Sequence, residues 1–95
     1  MIQGYVGPRL SRSARKLGDP IIAKVQDKLA LVCRHFGEPH RHCGLGLRKL
    51  GRRSDEARVS RGLRIVLNVE PDRLTAYDLM DHRQVARWLK VRNGD

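Results

Sequence analysis

The spacing of apolar residues changes once along this chain, close to Gly37. Before it, apolar residues recur at every third or fourth position, at Ile22, Val25, Leu29, Val32 and Phe36. After it, in the stretch "LRIVLNVE", they alternate at Leu63, Ile65, Leu67 and Val69. The first spacing is typical of one helix face and the second of one strand face. The sequence therefore predicts helices followed by a β-sheet.

Two helices are predicted before Gly37. The stretch "PRLSRSARKLG" indicates a short basic helix over 8–18, opened by Ser11 or the preceding turn and closed by Gly18. For the second helix, Asp19 is predicted as the N-cap and Pro20 as the first helical residue. Gly37 supplies the left-handed residue that ends it. Because the join is so short, we expect a helical hairpin.

Five segments have strand character. "MIQGYVG" is a candidate edge strand, and "GLGLRKL" opens the sheet. "EARV" and "LRIVLNVE" form a hairpin about "SRG", and "LTAYDLM" is the third strand of a meander. Asp81 and Gln84 match the capping box of a final helix, with Val85, Trp88 and Leu89 facing inward.

The predicted order is therefore (β)ααβββα, a single domain over residues 1–95. We expect an α+β fold in which an N-terminal helical hairpin packs on a small antiparallel sheet, followed by a C-terminal helix, with the helices on one face of the sheet.

Positive charge is the strongest signal for function. The 95 residues contain 20 Lys+Arg and 10 Asp+Glu, giving a net charge of +10. Fifteen of the 20 cations are arginine, whose planar guanidinium suits bidentate contacts with phosphate and carboxylate. A polyanionic partner is the natural inference, either nucleic acid or an acidic protein, although a basic solvated surface without a partner is the alternative.

The remaining composition narrows the setting. No apolar run is long enough to span a membrane, and the N-terminus lacks the apolar core of a secretory signal. We expect a cytoplasmic protein with two free thiols. A zinc site within "CRHFGEPHRHC" is disfavoured, because structural zinc ligands come as two close pairs separated by a dozen or more residues. We predict no metal and no cofactor; Cys33 is interpreted as a core thiol.

The helical hairpin, "GLGLRKL", "EARVSRGLRIVLNV" and "LTAYDLMDHRQVARWL" together resemble the RelE/ParE superfamily. These proteins are the toxin halves of bacterial type II toxin–antitoxin pairs, and the resemblance covers roughly residues 10–90. It implies the fold and a cognate antitoxin that wraps around the toxin. RelE-like members cut mRNA on the ribosome, whereas ParE-like members lack the cleavage residues and act on DNA gyrase. The resemblance leaves both targets open.

Three residues are the first candidates for RNA cleavage, in which the 2′-hydroxyl attacks the adjacent phosphate. Arg64 lies on the strand face opposite Leu63 and Ile65 and matches the superfamily's central arginine, and Arg58 on the adjacent strand completes a phosphate clamp. His82 matches a histidine that some RelE-type relatives use for proton transfer. Where such a relative has a tyrosine next, this chain has Arg83. The alternative is that these residues have no catalytic role: the arginines would be solvated or salt-bridged strand residues, and His82 would help to cap the last helix.

The basic run "LRKLGRR" supplies a further group. Lys49 is a catalytic candidate by resemblance to the basic residues of RelE. The candidate RNA contacts are Arg48, Arg52, Arg53, Arg61, Arg83 and His42. Glu56, close to Arg53 and Arg58, is interpreted as a structural ion-pair partner rather than a base. The first helix is a second basic patch, for ribosomal RNA or an acidic antitoxin segment. The predicted function is a metal-independent, ribosome-associated mRNA endonuclease toxin; the alternative is a gyrase inhibitor or basic nucleic-acid-binding module.

Overall fold

The computed structural model describes residues 2–38 and 44–92. Eight elements follow one another along these residues: β1 (Gln3–Val6), α1 (Pro8–Leu17), α2 (Asp19–His35), β2 (Leu47–Gly51), β3 (Ser54–Ser60), β4 (Leu63–Val69), β5 (Arg73–Met80) and α3 (His82–Arg92). The α+β class, the helical hairpin and the C-terminal helix are confirmed.

The strands form one sheet in the order β1-β5-β4-β3-β2. Strands β2 to β5 pair antiparallel with their neighbours. The predicted three-strand meander corresponds to β3, β4 and β5, and β2 is a fourth strand that the predicted order did not count. Strand β1 adds to the far edge in parallel with β5, with Tyr5 opposite Thr75. The chain between β1 and β5 contains the helical hairpin and strands β2 to β4, so a long connection joins this parallel pair.

Helices cover both faces of the sheet, so the expectation of helices on one face was wrong. Ile65 and Leu67 of β4 pack with Leu10 of α1 and Val25 of α2. Val66, which points the other way, packs with Val85 of α3 in a second apolar cluster. All three β4 residues are fully buried. Strand alternation therefore delivers apolar side chains to two separate layers.

Glycine sets the join between α1 and α2. Gly18 has a φ of 99° and is the N-cap of α2, so Asp19 is the first helical residue and not the cap. Its carboxylate still lies in the first turn, where it interacts favourably with the positive end of the helix dipole. Gly37, at φ 90°, follows the end of α2 with the left-handed backbone that the sequence predicted.

Helix α1 is fixed to β5 by a polar contact. The Ser13 hydroxyl donates to the Asp78 carboxylate at 2.6 Å, and the backbone N–H of Leu79 donates to the same oxygen at 2.8 Å. Arg9 lies 3.8 Å from the second Asp78 oxygen. Asp78 therefore anchors the hairpin beside the bulge in β5.

Over residues 2–38 and 44–92, no helix combines the length and apolarity needed to cross a bilayer.

The contact between β1 and α2 generates a stability prediction. A Cβ at Gly4 would lie 2.5 Å from the Cys33 Sγ, so Gly4→Ala forces one of the two segments to shift. We expect a loss of about 1–3 kcal/mol in the free energy of unfolding. In a Cys33→Ala background the same substitution should cost much less. Urea unfolding of the four proteins measures the difference.

Gly62→Ala is the matched control, because no atom lies within 4 Å of the position its Cβ would take. If Gly4→Ala lowers the free energy of unfolding equally in the wild type and in the Cys33→Ala background, the close approach of Gly4 to Cys33 does not position β1 against α2.

Candidate functional site

An open pocket of about 400 Å³ lies on the sheet face that α3 partly covers. It is lined by Gly46, Leu47, Arg48, Glu56, Arg58 and Arg64. We call it the arginine pocket. Three guanidinium groups and one carboxylate meet at this place, on side chains from three adjacent strands.

Strand register brings the charged side chains together. Arg58 of β3 is directly opposite Arg64 of β4, and Arg48 of β2 is directly opposite Glu56 of β3. Opposed residues in an antiparallel pair point to the same face, as do residues two apart on one strand. The predicted pairing of Arg58 with Arg64 on one sheet face is therefore confirmed as geometry.

Glu56 is the buried centre of the pocket. Its side chain is 5% exposed, and one oxygen lies 2.8 Å from the Arg48 Nη2. The other oxygen lies 3.4 Å from the Arg64 Nε, as an ion pair without hydrogen-bond geometry. The sequence correctly assigned Glu56 to an ion pair, but the partners are Arg48 and Arg64, not Arg53 and Arg58. A buried carboxylate requires such compensation, because leaving water costs several kcal/mol.

Arg64 and Arg58 have different surroundings. The Arg64 side chain is only 18% exposed, and its Nε lies 3.4 Å from the Glu56 carboxylate. Arg58 is exposed, and no carboxylate among the described residues forms an ion pair with it. Three arginines against one glutamate leave the arginine pocket with a net positive charge. Such a site attracts anions, and phosphate above all.

Gly46 allows the backbone that precedes β2 to approach Arg58 closely. Its φ of 70° is the left-handed region, and its carbonyl accepts a hydrogen bond of 3.1 Å from the Arg58 N–H. A Cβ at Gly46 would come within 3.0 Å of the Arg58 Cβ. The second glycine of "GLGLRKL" is therefore needed for both its conformation and its missing side chain.

His82 lies near the pocket without lining it. It is the exposed first residue of α3 and follows Met80, which is directly opposite Arg64 on β5. The predicted capping box holds it in place: the Asp81 carboxylate accepts from the Gln84 N–H, and the Gln84 side chain accepts from the Asp81 N–H, both at 2.8 Å. Arg83, beside it, is exposed as well. Arg61 is in the turn between Arg58 and Arg64.

Other candidates lie away from the pocket. Lys49 of β2 is opposite Asp55 of β3, which is itself opposite Leu67 of the core beneath the helical hairpin. Lys49 therefore points to the face that the hairpin covers. Arg52 and Arg53 occupy the turn at the start of β3, and Arg53 is about 17 Å along the strand from Arg58. These two arginines line a separate depression with Phe36 and Pro71. The basic run "LRKLGRR" is therefore not one surface.

The histidine-rich loop is largely outside the described residues, and with it His40, candidate RNA contact His42, and Cys43. Cys33 packs against the apolar core, and burial raises the pKa of its thiol above the ordinary value. The His35 ring contacts the Glu38 carboxylate at 3.0 Å. Within the described part of the chain, no three His, Cys, Asp or Glu side chains are grouped as ligands for a metal ion.

Arg48 and Glu56 are the pocket residues whose joint role the sequence did not reveal. The alternation in "SDEARVS" places Glu56 on the face of Arg58, which is a readable signal. Its pairing with Arg48 depends on the register between β2 and β3, which the sequence does not specify.

Several solved structures match this fold. YafQ from Escherichia coli BL21(DE3) is 11% identical, with a TM-score of 0.63 over 90% of this chain and 98% of that chain. YafQ in the E. coli DinJ–YafQ toxin–antitoxin complex matches with a TM-score of 0.62 at 11% identity, over 87% and 94% of the two chains. A copper-bound mutant toxin from Helicobacter pylori is 17% identical, with a TM-score of 0.58 over 88% and 98%.

No protein-family model matches this sequence, and no curated protein matches it either. At 11–17% identity the structural likeness concerns the fold. The RelE/ParE-like fold that the sequence predicts is confirmed in this sense.

Burial, more than distance, should decide which Glu56 ion pair stabilises the protein. Arg48 is closer to Glu56 but its side chain is 63% exposed, whereas Arg64 is 18% exposed. An exposed pair contributes about 0.2–1 kcal/mol, whereas removing one partner of a buried pair costs about 3–5 kcal/mol. Double-mutant cycles with Glu56→Ala should therefore give a larger coupling energy for Arg64→Ala than for Arg48→Ala. Denaturant unfolding measures both, and a larger coupling for Arg48 would contradict this description of the pocket.

Proposed function

We propose that this protein is the toxin of a type II toxin–antitoxin pair and that it cuts mRNA on the ribosome. One observation carries the proposal: a fold shared with YafQ holds three arginines in an open pocket on a sheet face. Three of its 20 cations are grouped where a phosphate would fit.

The arginine pocket suits the charge changes of RNA cleavage by 2′-hydroxyl attack. The attack forms a phosphorane that carries one more negative charge than the starting phosphodiester. Arg58 and Arg64 are guanidinium donors on adjacent strands that can stabilise this charge. Glu56 and β4 hold Arg64 in place, and exposed Arg58 is free to contact the incoming phosphate.

His82 is the proposed proton-transfer group. Cleavage needs a base for the 2′-hydroxyl proton and an acid for the 5′ leaving oxygen, and histidine can serve either role near neutral pH. Its place beside the Arg64–Met80 pair puts it at the end of the sheet where the RNA would bind. Lys49, Arg52 and Arg53 are not part of this proposal for the chemical step, because they lie away from the pocket.

The proposed partners are mRNA, the ribosome and a cognate antitoxin. The DinJ–YafQ complex is a toxin–antitoxin assembly of the same toxin fold. A net charge of +10 favours an antitoxin with an acidic segment, which would compete with RNA for the basic surface. The proposed setting is the cytoplasm, where these partners are found.

Gyrase inhibition is the second candidate, on a specific observation. His82 does not line the arginine pocket, and Arg83 follows it where a RelE-type relative has an aromatic residue. A binder that does not cut RNA would tolerate this arrangement. The two candidates differ in what accumulates in the cell: cut messages or cleaved DNA–gyrase complexes.

Induced expression with and without the neighbouring reading frame tests the proposal. We expect growth arrest with cut messages from the wild type alone, and rescue by a co-expressed antitoxin. Arg58→Ala should lower the rate of RNA cleavage about 10²–10³-fold, because a preorganised donor to the phosphorane is lost. Sequencing of RNA 5′ ends and assay of the purified protein provide the two measurements.

Arg34→Ala is the matched control, since it removes an exposed arginine from α2, on the other side of the sheet. Arg64→Lys keeps a cation next to Glu56 and separates lost chemistry from lost folding. Growth arrest with intact messages, or an Arg58→Ala protein as active as the wild type, would rule out the proposed cleavage. Accumulated DNA–gyrase complexes would then favour the second candidate.

A further inference from the structure

Helix α3 carries three exposed cations in a line. Arg83, Arg87 and Lys90 are spaced by four and three residues, so they share one side of the helix. They span about 10 Å along the helix axis. We call them the α3 stripe. Arg87 and Lys90 have no part in the arginine pocket or in the chemical step proposed above.

The stripe points away from the sheet. At 100° per residue, the stripe is centred about 180° from the packed residues Val85, Trp88 and Leu89. The ring centroids of Trp88 and Tyr77 are 5.9 Å apart. The Arg92 guanidinium carbon lies 4.7 Å from the centroid of the Trp88 ring. These contacts fix the orientation of α3 and leave the stripe facing solvent.

The stripe has an electrostatic cost that nothing within the helix offsets. The α3 sequence HRQVARWLKVR contains no acidic residue. Arg83 lies in the first turn, where the helix dipole disfavours a cation, and Arg83 and Arg87 form a like-charge pair at i,i+4. Helix α1 likewise contains no acidic residue, whereas α2 carries Asp19 and Asp27 among its basic residues. A dedicated anionic ligand would explain why α3 is built in this way.

We propose that the α3 stripe binds the phosphodiester backbone of the RNA strand next to the phosphate held in the arginine pocket. The inference rests on the proposed function and extends its substrate surface to Arg87 and Lys90. Two observations favour RNA over an acidic protein. Helix α3 packs on the sheet face that carries Arg64, and its first residue, His82, lies beside the Arg64–Met80 pair. The stripe begins at Arg83, directly after His82, so its first cation lies at the end of α3 that is next to the Arg64–Met80 pair.

The test measures the salt dependence of binding to a short fluorescent single-stranded RNA whose 2′-hydroxyls are methylated, so that it cannot be cut by 2′ attack. Each phosphate contact adds about 0.7 to the slope of log K against log salt for a single strand. Arg87→Gln with Lys90→Gln should therefore lower the slope by about 1.4, and weaken binding about 25-fold at 0.1 M salt. Thermal unfolding followed by circular dichroism checks that this double variant and the control variant described next are folded.

Lys24→Gln with Arg34→Gln is the matched control. It makes the same change in net charge at exposed positions of α2, which covers the other sheet face. The proposal requires that this control keep the wild-type slope. Equal losses in the two variants would mean that net charge alone is responsible, and an unchanged slope in the α3 variant would mean that RNA does not touch the stripe.

Two further readouts separate this inference from the proposed function. If the α3 variant binds RNA as the wild type does but loses affinity for the antitoxin, the stripe is a protein-binding surface and the inference is wrong. If the wild type binds this RNA through the stripe but an unmodified RNA stays intact, the stripe assignment stands and the cleavage proposal fails.

Discussion

The burial of β4 on both faces is the constraint on which this structure depends. Ile65 and Leu67 face the helical hairpin and Val66 faces α3, and all three are fully buried. Helix α3 has 11 residues, so it covers only part of its face of the sheet. The uncovered part begins at Arg64, two residues from Val66 on the same face. The apolar contact between Val66 and α3 thus also sets the boundary of the arginine pocket.

A single buried carboxylate makes that boundary stable. Arg64 is mostly withdrawn from water, and Glu56 supplies the opposite charge at 3.4 Å. Arg48 contacts the other oxygen, so each carboxylate oxygen lies beside a guanidinium group. Arg58 then remains as the pocket arginine that forms no ion pair among the described residues. The pocket therefore contains two ion-paired arginines, Arg48 and Arg64, beside Arg58.

The sequence predicted elements better than it predicted surfaces. The period of three to four before Gly37 and the alternation in β4 identified the helices and strands, because each period reflects a local geometry. The capping box of Asp81 and Gln84 was likewise local, and it was confirmed. Which face α3 covers depends on packing between distant segments, and the expectation of helices on one face was wrong.

Register and strand direction explain the misplaced site residues in the same way. Lys49 and Arg48 are adjacent in sequence, yet strand alternation sends them to opposite faces. Arg53 is close to Arg58 along the chain, yet a β-strand separates them by about 17 Å. Arg58 and Arg64, six residues apart, meet because a tight turn folds β3 back on β4. Proximity along the chain was therefore a poor guide to the pocket, and cross-strand pairing was a good one.

The chemistry of the RNA ends tests the central claim most directly. Attack by the 2′-hydroxyl within a pocket of arginines leaves a 2′,3′-cyclic phosphate on one product and a 5′-hydroxyl on the other. Mass spectrometry of RNA incubated with the purified protein should find these ends with the wild type and the Arg34→Ala control, and should lose them with Arg58→Ala. Products with 3′-hydroxyl and 5′-phosphate ends, or RNA that stays intact, would contradict the account.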